Sequence, residues 1–262
     1  MSPRAYRSLR IGTEIAVPVL ILLAWQLWTV HADDRNFPRL STILVQFQKL
    51  WLFSEFGTNV VPSLERILLG FGIAVVVGVG IGLPIGLVRW ARVWTMPHIE
   101  YWRAMPPPAL IPISIVLLRG DIGNKQKVSF IAFFCLFPVL LNTIDGVRSI
   151  EPTLMDTARS YGIPWRDTIR RIVLPAAGPQ IFAGMRTSLS LAVIMMVLTE
   201  YWSSTNGVGY VLLNSKNTFQ LAPMWAAILL IGLLGYGLNL LLSLAEHRVL
   251  GWHRGYRAAT PK

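Results

Sequence analysis

Apolar runs of about twenty residues recur along the chain, at 11–30, 67–88, 99–118, 128–147, 181–202 and 224–244. A helix rises ~1.5 Å per residue, so ~20 residues cross a hydrocarbon layer of ~30 Å, where every backbone polar group must be satisfied within the protein. With 53% hydrophobic and 14% charged residues among 262, the chain has too much apolar surface to hide in one soluble core. These runs predict an all-α membrane protein of about six transmembrane helices, forming a single domain over 1–262. The first run follows Arg4, Arg7 and Arg10 and has a faint cleavage-like Val30-His31-Ala32 after it. It is longer than an ordinary signal-peptide core and further spans follow, so it reads as an uncleaved first span.

The net charge of +11 invites a nucleic-acid reading, but the basic residues flank apolar runs instead of forming a stripe. They orient the chain in a bilayer, and no nucleic-acid partner is expected. Placing both termini in the cytoplasm puts 14 of the 24 Lys and Arg residues inside and seven outside, with Arg66, Arg103 and Arg186 near span ends. The positive-inside rule then sets 148–180 in the cytoplasm of a cell that carries the protein in its inner or plasma membrane. The single cysteine, Cys135, lies in an apolar run, so no intrachain disulfide can form. His31, His98, His247 and His253 all fall outside span centres, and no metal cluster or G-x-S-x-G elbow is present. An intramembrane enzyme and an ion-coupled secondary transporter remain as alternatives; the latter needs buried ionisable groups and usually an internal repeat.

Within the runs, several features ask for a role. Gly78, Gly82 and Gly86 recur every four residues and make a helix-packing ridge, and Gly232, Gly235 and Gly237 read as permitting close packing in the last run. The segment 33–65, with Phe47, Trp51 and Phe53, reads as external and partly interfacial. Arg89 and Arg92 mark a short loop flanked by Trp90 and Trp94. In the third run Glu100, Arg103 and Pro106-Pro107-Pro108 precede the most apolar part. Consecutive prolines remove donors, and broken helices of this kind often line a translocation path. Arg103 and Pro107 are therefore candidate pathway residues. Asn142 is a third, able to glue helices or face solute, and Glu200 a fourth, suited to a gate or to a helix–helix hydrogen bond. Residues 119–127 read as a polar external turn and 206–219 as a short glycine-containing link.

The longest stretch that a membrane could not accept is 151–179, EPTLMDTARSYGIPWRDTIRRIVLPAAGP. Pro152 suits a first helical turn, Gly162 a left-handed stop followed by Pro164, and Trp165 opens a second helix. Two short helices around a hinge are expected. Leu154, Ala158 and Tyr161 share a face of the first, and Trp165, Ile169, Ile172 and Val173 a face of the second, with charge behind both.

The spacing of Asp156, Ala158, Gly162, Ile172, Leu174 and Pro175 resembles the EAA loop of the membrane subunits of ABC importers: Glu-Ala-Ala, three residues, Gly, nine residues, Ile-x-Leu-Pro. Asp156 and Thr157 stand where that family usually has Glu and Ala. RAMPPPALIPISIVLL also looks like the branch that handles sulfonates, taurine, nitrate and bicarbonate, and the 206–219 link resembles the family's glycine-rich link before the last span. The resemblance implies a type I ABC importer permease fold with a cytoplasmic coupling helix, in which Leu154, Asp156, Ala158, Tyr161, Gly162 and Pro164 meet an ATPase. It further implies a second permease subunit, as a homodimer, two ATP-binding subunits, an extracytoplasmic solute-binding protein, and a small anionic cargo. No G-x-x-x-x-G-K-[ST] loop occurs here, so the resemblance implies that ATP and Mg belong to the partner ATPase, with no cofactor expected on this chain and no enzymatic activity of its own.

Overall fold

In a computed structural model, which describes residues 3–32, 36–117 and 124–251, the chain is helical almost throughout. Helix α1 (Pro3–Ala32) covers the first apolar run, and α2 (Leu40–Phe47) leads through π-helical Gln48–Ser54 and Phe56–Val60 into α3 (Val61–Leu87). Next come α4 (Arg89–Ala104), α5 (Pro107–Leu117) and α6 (Asn124–Arg148). The polar stretch forms α7 (Pro152–Ser160) and α8 (Trp165–Thr168), and π-helical Ile169–Val173 feeds α9 (Leu174–Ser203). The chain closes with α10 (Val208–Asn217) and α11 (Leu221–Val249). Among the described residues, four stretches are long and apolar enough to cross a membrane: Phe56–Leu87, Asn124–Arg148, Trp165–Ser203 and Leu221–Val249. The protein is therefore a multi-pass membrane protein.

Helix α6 is the central element, packed between α3 and α9. Sequence explains how closely. Along α3 the positions Gly70, Ala74, Gly78, Gly82 and Gly86 repeat every four residues and are all buried. A Cβ built on Gly70, Gly78, Gly82 or Gly86 would stand 2.6–2.9 Å from side-chain atoms of Ile131, Val139, Thr143 or Val147, themselves at multiples of four on α6. Glycines on one helix thus make the groove that branched side chains on the other fill, which gives backbone proximity without a hydrophobic driving force. On the opposite face, Gly184 of α9 lets Asn142 and the Pro138 carbonyl of α6 approach. Gly82→Val is expected to lower the melting temperature of the detergent-purified protein, by an overpacking cost of about 1–3 kcal/mol. Gly80→Ala, where a Cβ meets nothing within 4 Å, should be neutral or slightly stabilising.

Several local expectations are corrected. The second short helix after the hinge is not a separate piece, because Trp165–Ser203 runs on continuously. Pro175 has no N–H for the Arg171 carbonyl, and the π-helical turn at Ile169–Val173 takes up the mismatch without ending the helix. No loop stands at Arg89 and Arg92: only Val88 leaves the helical conformation, at φ −108° and ψ 112°. Trp51 is not interfacial but buried against Val60, Val208, Ala226 and Ala227. The 206–219 link contains the ten-residue helix α10. Of the 119–127 turn, Asn124 to Lys127 form the first turn of α6; Arg119, Gly120 and Asp121 lie outside the described residues, as do Arg35, Arg254, Arg257 and Lys262. Among the described residues Gly232 and Gly237 have nothing within 4 Å of a built Cβ, and Gly235 only Val193 at 3.9 Å. The buried face of α11 is Ala226, Ala227 and Leu230 instead.

Candidate functional site

Three arrangements carry the functional side chains. The first is the α7 turn. Pro152 occupies the first turn of α7, and Glu151 precedes it in extended conformation. At the other end Gly162 N–H donates to Arg159 O at 2.9 Å and Ile163 N–H to Ala158 O at 3.0 Å. Gly162 takes φ +65°, so the helix ends in a left-handed turn whose two bonds satisfy its last carbonyls. Pro164 then accepts from Thr168 N–H and starts α8. The faces differ from the expected set. Ala158 is 2% exposed and Met155 packs against the Val147, Val173 and Ala177 cluster, whereas Leu154, Tyr161, Ile163 and Trp165 are exposed. Asp156 pairs with Arg159 of its own helix at 3.4 Å, both side chains open to solvent. Met155 as inward anchor was missed, although it stands three residues before Ala158, a helical neighbour.

The second is a cavity of about 480 Å³ where α4, the α4–α5 break, α6 and α9 meet. Helix α4 stops at Ala104, Met105 is extended at ψ 129°, and α5 begins at Pro107. Pro107 and Pro108 fall in a first helical turn, where a missing N–H costs nothing. Arg103, Pro107 and Asn142 all line the cavity, with Glu100, Asp145, Thr187, Phe134 and Phe137 beside them. Asn142 Nδ2 donates to Pro138 O at 2.8 Å.

Glu200 does not join them. Its carboxylate is wholly buried and accepts from Ser63 Oγ at 2.8 and 2.9 Å, Arg66 Nη1 at 2.5 Å and the Gly209 N–H at 2.9 Å. Arg66, 2% exposed, reaches further: Nη2 to Asn206 Oδ1 at 2.6 Å, Nη1 to Asn206 O at 3.2 Å and Nε to Asn124 Oδ1 at 2.8 Å. Asn59 Oδ1 accepts from Gly207 N–H at 2.6 Å, and Ser63 Oγ from Val208 N–H at 3.0 Å. Gly207, at φ +115°, lies so near Glu200 that a Cβ would stand 2.3 Å from the carboxylate. Glu200 is thereby the anion at the N-terminus of α10, where free N–H groups and the helix dipole favour negative charge. Of the two readings left open for it, the helix–helix hydrogen bond is the one found. Asn59, Ser63 and Arg66 were missed as a group, though their spacing of four and three is a polar helical stripe running into an apolar span.

Among the described residues no group of His, Cys, Asp and Glu could hold a metal ion. Cys135 is buried and unpaired.

The described residues thus form a multi-pass helical bundle in which the continuous 165–203 helix follows the exposed α7 turn. Among solved structures, the native crystal form of the inward-facing MetNI methionine ABC transporter superposes with a TM-score of 0.60 at 18% identity, covering 79% of this chain and 98% of that one. The fold is that of a type I ABC-importer permease. The chain belongs to the family of binding-protein-dependent transport system inner membrane components, whose model matches residues 74–251. A relative in Escherichia coli named for aliphatic sulfonates transport, the permease protein SsuC, is 32% identical over 242 residues, 92% of this chain and 91% of that protein. The taurine transport system permease protein TauC of Escherichia coli is 28% identical over 252 residues, 94% and 90% of the two chains. The bicarbonate transport system permease protein CmpB of Synechococcus elongatus is 28% identical over 192 residues, 72% and 68%. The protein is the permease subunit of an ABC importer, not an enzyme, and the intramembrane-enzyme and secondary-transporter alternatives fall away.

Proposed function

We propose that two copies of this chain enclose the translocation pathway for a small anionic solute and draw energy from separate ATP-hydrolysing subunits through residues 151–175. The observation that carries the coupling role is the α7 turn. Leu154, Tyr161, Ile163 and Trp165 leave an apolar surface in a stretch otherwise rich in charge, while Met155 packs against Val147, Val173 and Ala177 at the ends of α6 and α9, and Ala158 is buried. An exposed apolar patch with a polar rim suits a protein partner. Because α8 continues into α9, a push on α7 is delivered to the whole 165–203 helix as a lever.

The six-span reading takes α1, α3, the α4–α5 pair, α6, α9 and α11 as crossings, with both termini and the 148–180 loop in the cytoplasm. Relatives named for sulfonates, taurine and bicarbonate support an acid-bearing cargo. An extracytoplasmic binding protein would deliver it, and ATP and Mg would sit on the partner ATPase. Tyr161→Asp combined with Leu154→Asp is expected to abolish co-purification of the ATPase subunits and ATP-dependent uptake in proteoliposomes, with the permease still recovered from the membrane. Undiminished ATPase recovery and uptake in that variant would refute the coupling surface.

A further inference from the structure

The cavity where α4, α6 and α9 meet carries charge as well as volume. Among the described residues that line it, Arg103 is the single cation, and Glu100 and Asp145 are the acids. Arg103 Nη2 donates to Glu100 Oε2 at 2.6 Å, one turn back on α4. Asp145 is engaged elsewhere, by Arg148 Nη1 at 3.5 Å. The cation is thus neutralised by a carboxylate of its own helix, yet the two side chains keep 54% and 46% of their surface open. A guanidinium presents five N–H donors in a planar fork that matches the paired oxygens of an acid group, and one contact to Glu100 leaves most of that fork unused. An exposed pair at this helical spacing is held weakly, so another acid can take its place at small cost.

The rest of the lining narrows what that acid is attached to. Phe134, Phe137, Leu141 and Leu191 give the cavity an apolar wall. A volume of about 480 Å³ is of the order that small organic molecules occupy. A hydrated inorganic anion would leave such a wall unused, whereas a short carbon skeleton covers it.

We propose that Arg103 selects the solute's acid group and that Glu100 is its placeholder, a built-in carboxylate that occupies Arg103 until a small organic anion displaces it. This rests on the reading that the cavity belongs to the translocation route. The placeholder keeps the empty cavity near neutral and competes for Arg103 after binding. Capture is therefore favourable enough to admit the anion and weak enough to release it, the condition any conducting site has to meet.

The test uses Thr187→Cys, at the cavity wall, in a Cys135→Ala background, with the permease assembled with its ATPase subunits in lipid nanodiscs. Modification rates are measured with 2-sulfonatoethyl methanethiosulfonate, an organic sulfonate, and with its trimethylammonioethyl counterpart. Glu100→Gln should raise the anion-to-cation rate ratio about fivefold or more, the effect of one uncompensated charge at ~4 Å in a watery site. Arg103→Gln should lower it by a similar factor, and the double substitution should return it near the parent. Ethanesulfonate should protect the thiol and sulfate should not. Ratios within twofold of the parent in both single variants, a thiol that neither reagent reaches, or equal protection by sulfate would each overturn the proposal. Parent complex that, reconstituted in proteoliposomes with its extracytoplasmic binding protein, shows no ATP-driven uptake would instead defeat the translocation-route reading, which these rate ratios do not measure.

Discussion

Gly162→Val is expected to abolish ATP-driven solute uptake, or the recovery of ATPase subunits with the permease, while the membrane-spanning helices remain folded. Space is not the obstacle, since a Cβ on Gly162 meets nothing within 4 Å. Conformation is: at φ +65° an L-residue places Cβ against the neighbouring carbonyl at ~1–2 kcal/mol, and a β-branched one fares worse. The chain escapes that strain by leaving the left-handed region. Doing so breaks the Gly162 N–H to Arg159 O and Ile163 N–H to Ala158 O bonds and re-aims α7 relative to α8. Gly162→Asn, whose side chain tolerates the same region, should keep most of the activity. Uptake, ATPase co-purification and far-ultraviolet circular dichroism read the three quantities separately, and normal uptake by the valine variant would remove the turn from the mechanism.

The largest loss of stability is expected from Glu200→Ala. Deleting the carboxylate strands Arg66, which is 2% exposed, together with the Gly209 N–H that points at Glu200. Removing one partner of a buried pair costs about 3–5 kcal/mol because the other is left uncompensated. The consequence reaches beyond one contact, since the same atoms hold α3, the start of α6, α9 and the N-terminus of α10 together. Glu200→Gln keeps the shape and some hydrogen bonding and should fall between. Arg66→Met combined with Glu200→Leu removes both charges and should melt higher than Glu200→Ala alone, since replacing a buried pair by apolar groups is often neutral. Thermal unfolding in detergent checks the order; a Glu200→Ala protein as stable as the parent would mean that the cluster does not hold these elements.

How much of this was readable beforehand differs from element to element. The apolar runs locate helices because hydrocarbon admits no unpaired backbone, and the structure has helix at each of them. Gly78, Gly82 and Gly86 announced a close contact through their spacing, and Gly70 and Ala74 extend the same row. What the row could not announce was its counterpart, because Ile131, Val139, Thr143 and Val147 look like any other side chains of a span until α6 lies against α3. Boundaries suffered where one helix passes from membrane to water. The 165–203 helix changes from α to π geometry at Ile169–Val173, where its composition turns polar, but it does not end there, so composition suggested a break that hydrogen bonding did not make.

The site divides along the same line. Gly162, Pro164 and the proline run at 106–108 act through covalent geometry: a left-handed turn without a Cβ penalty and four positions without an N–H. Such local rules hold wherever the residue sits, so the turn and the broken helix were legible from sequence alone. Glu200 obeyed no local rule. A lone acid near a span end is equally a gate or a tie, and only the arrival of Ser63 and Arg66, more than 130 positions away in the chain, and of the Gly209 N–H from the first turn of α10 revealed the tie. Arg103, Pro107 and Asn142 likewise became one cavity only when α6 was laid beside the α4–α5 break. Sequence alone established the helices, the left-handed turn and the proline break, because each follows from the backbone's own chemistry. Which polar groups are satisfied by one another, and which are left facing a cavity, is a matter of long-range packing, and the tertiary structure alone decided it.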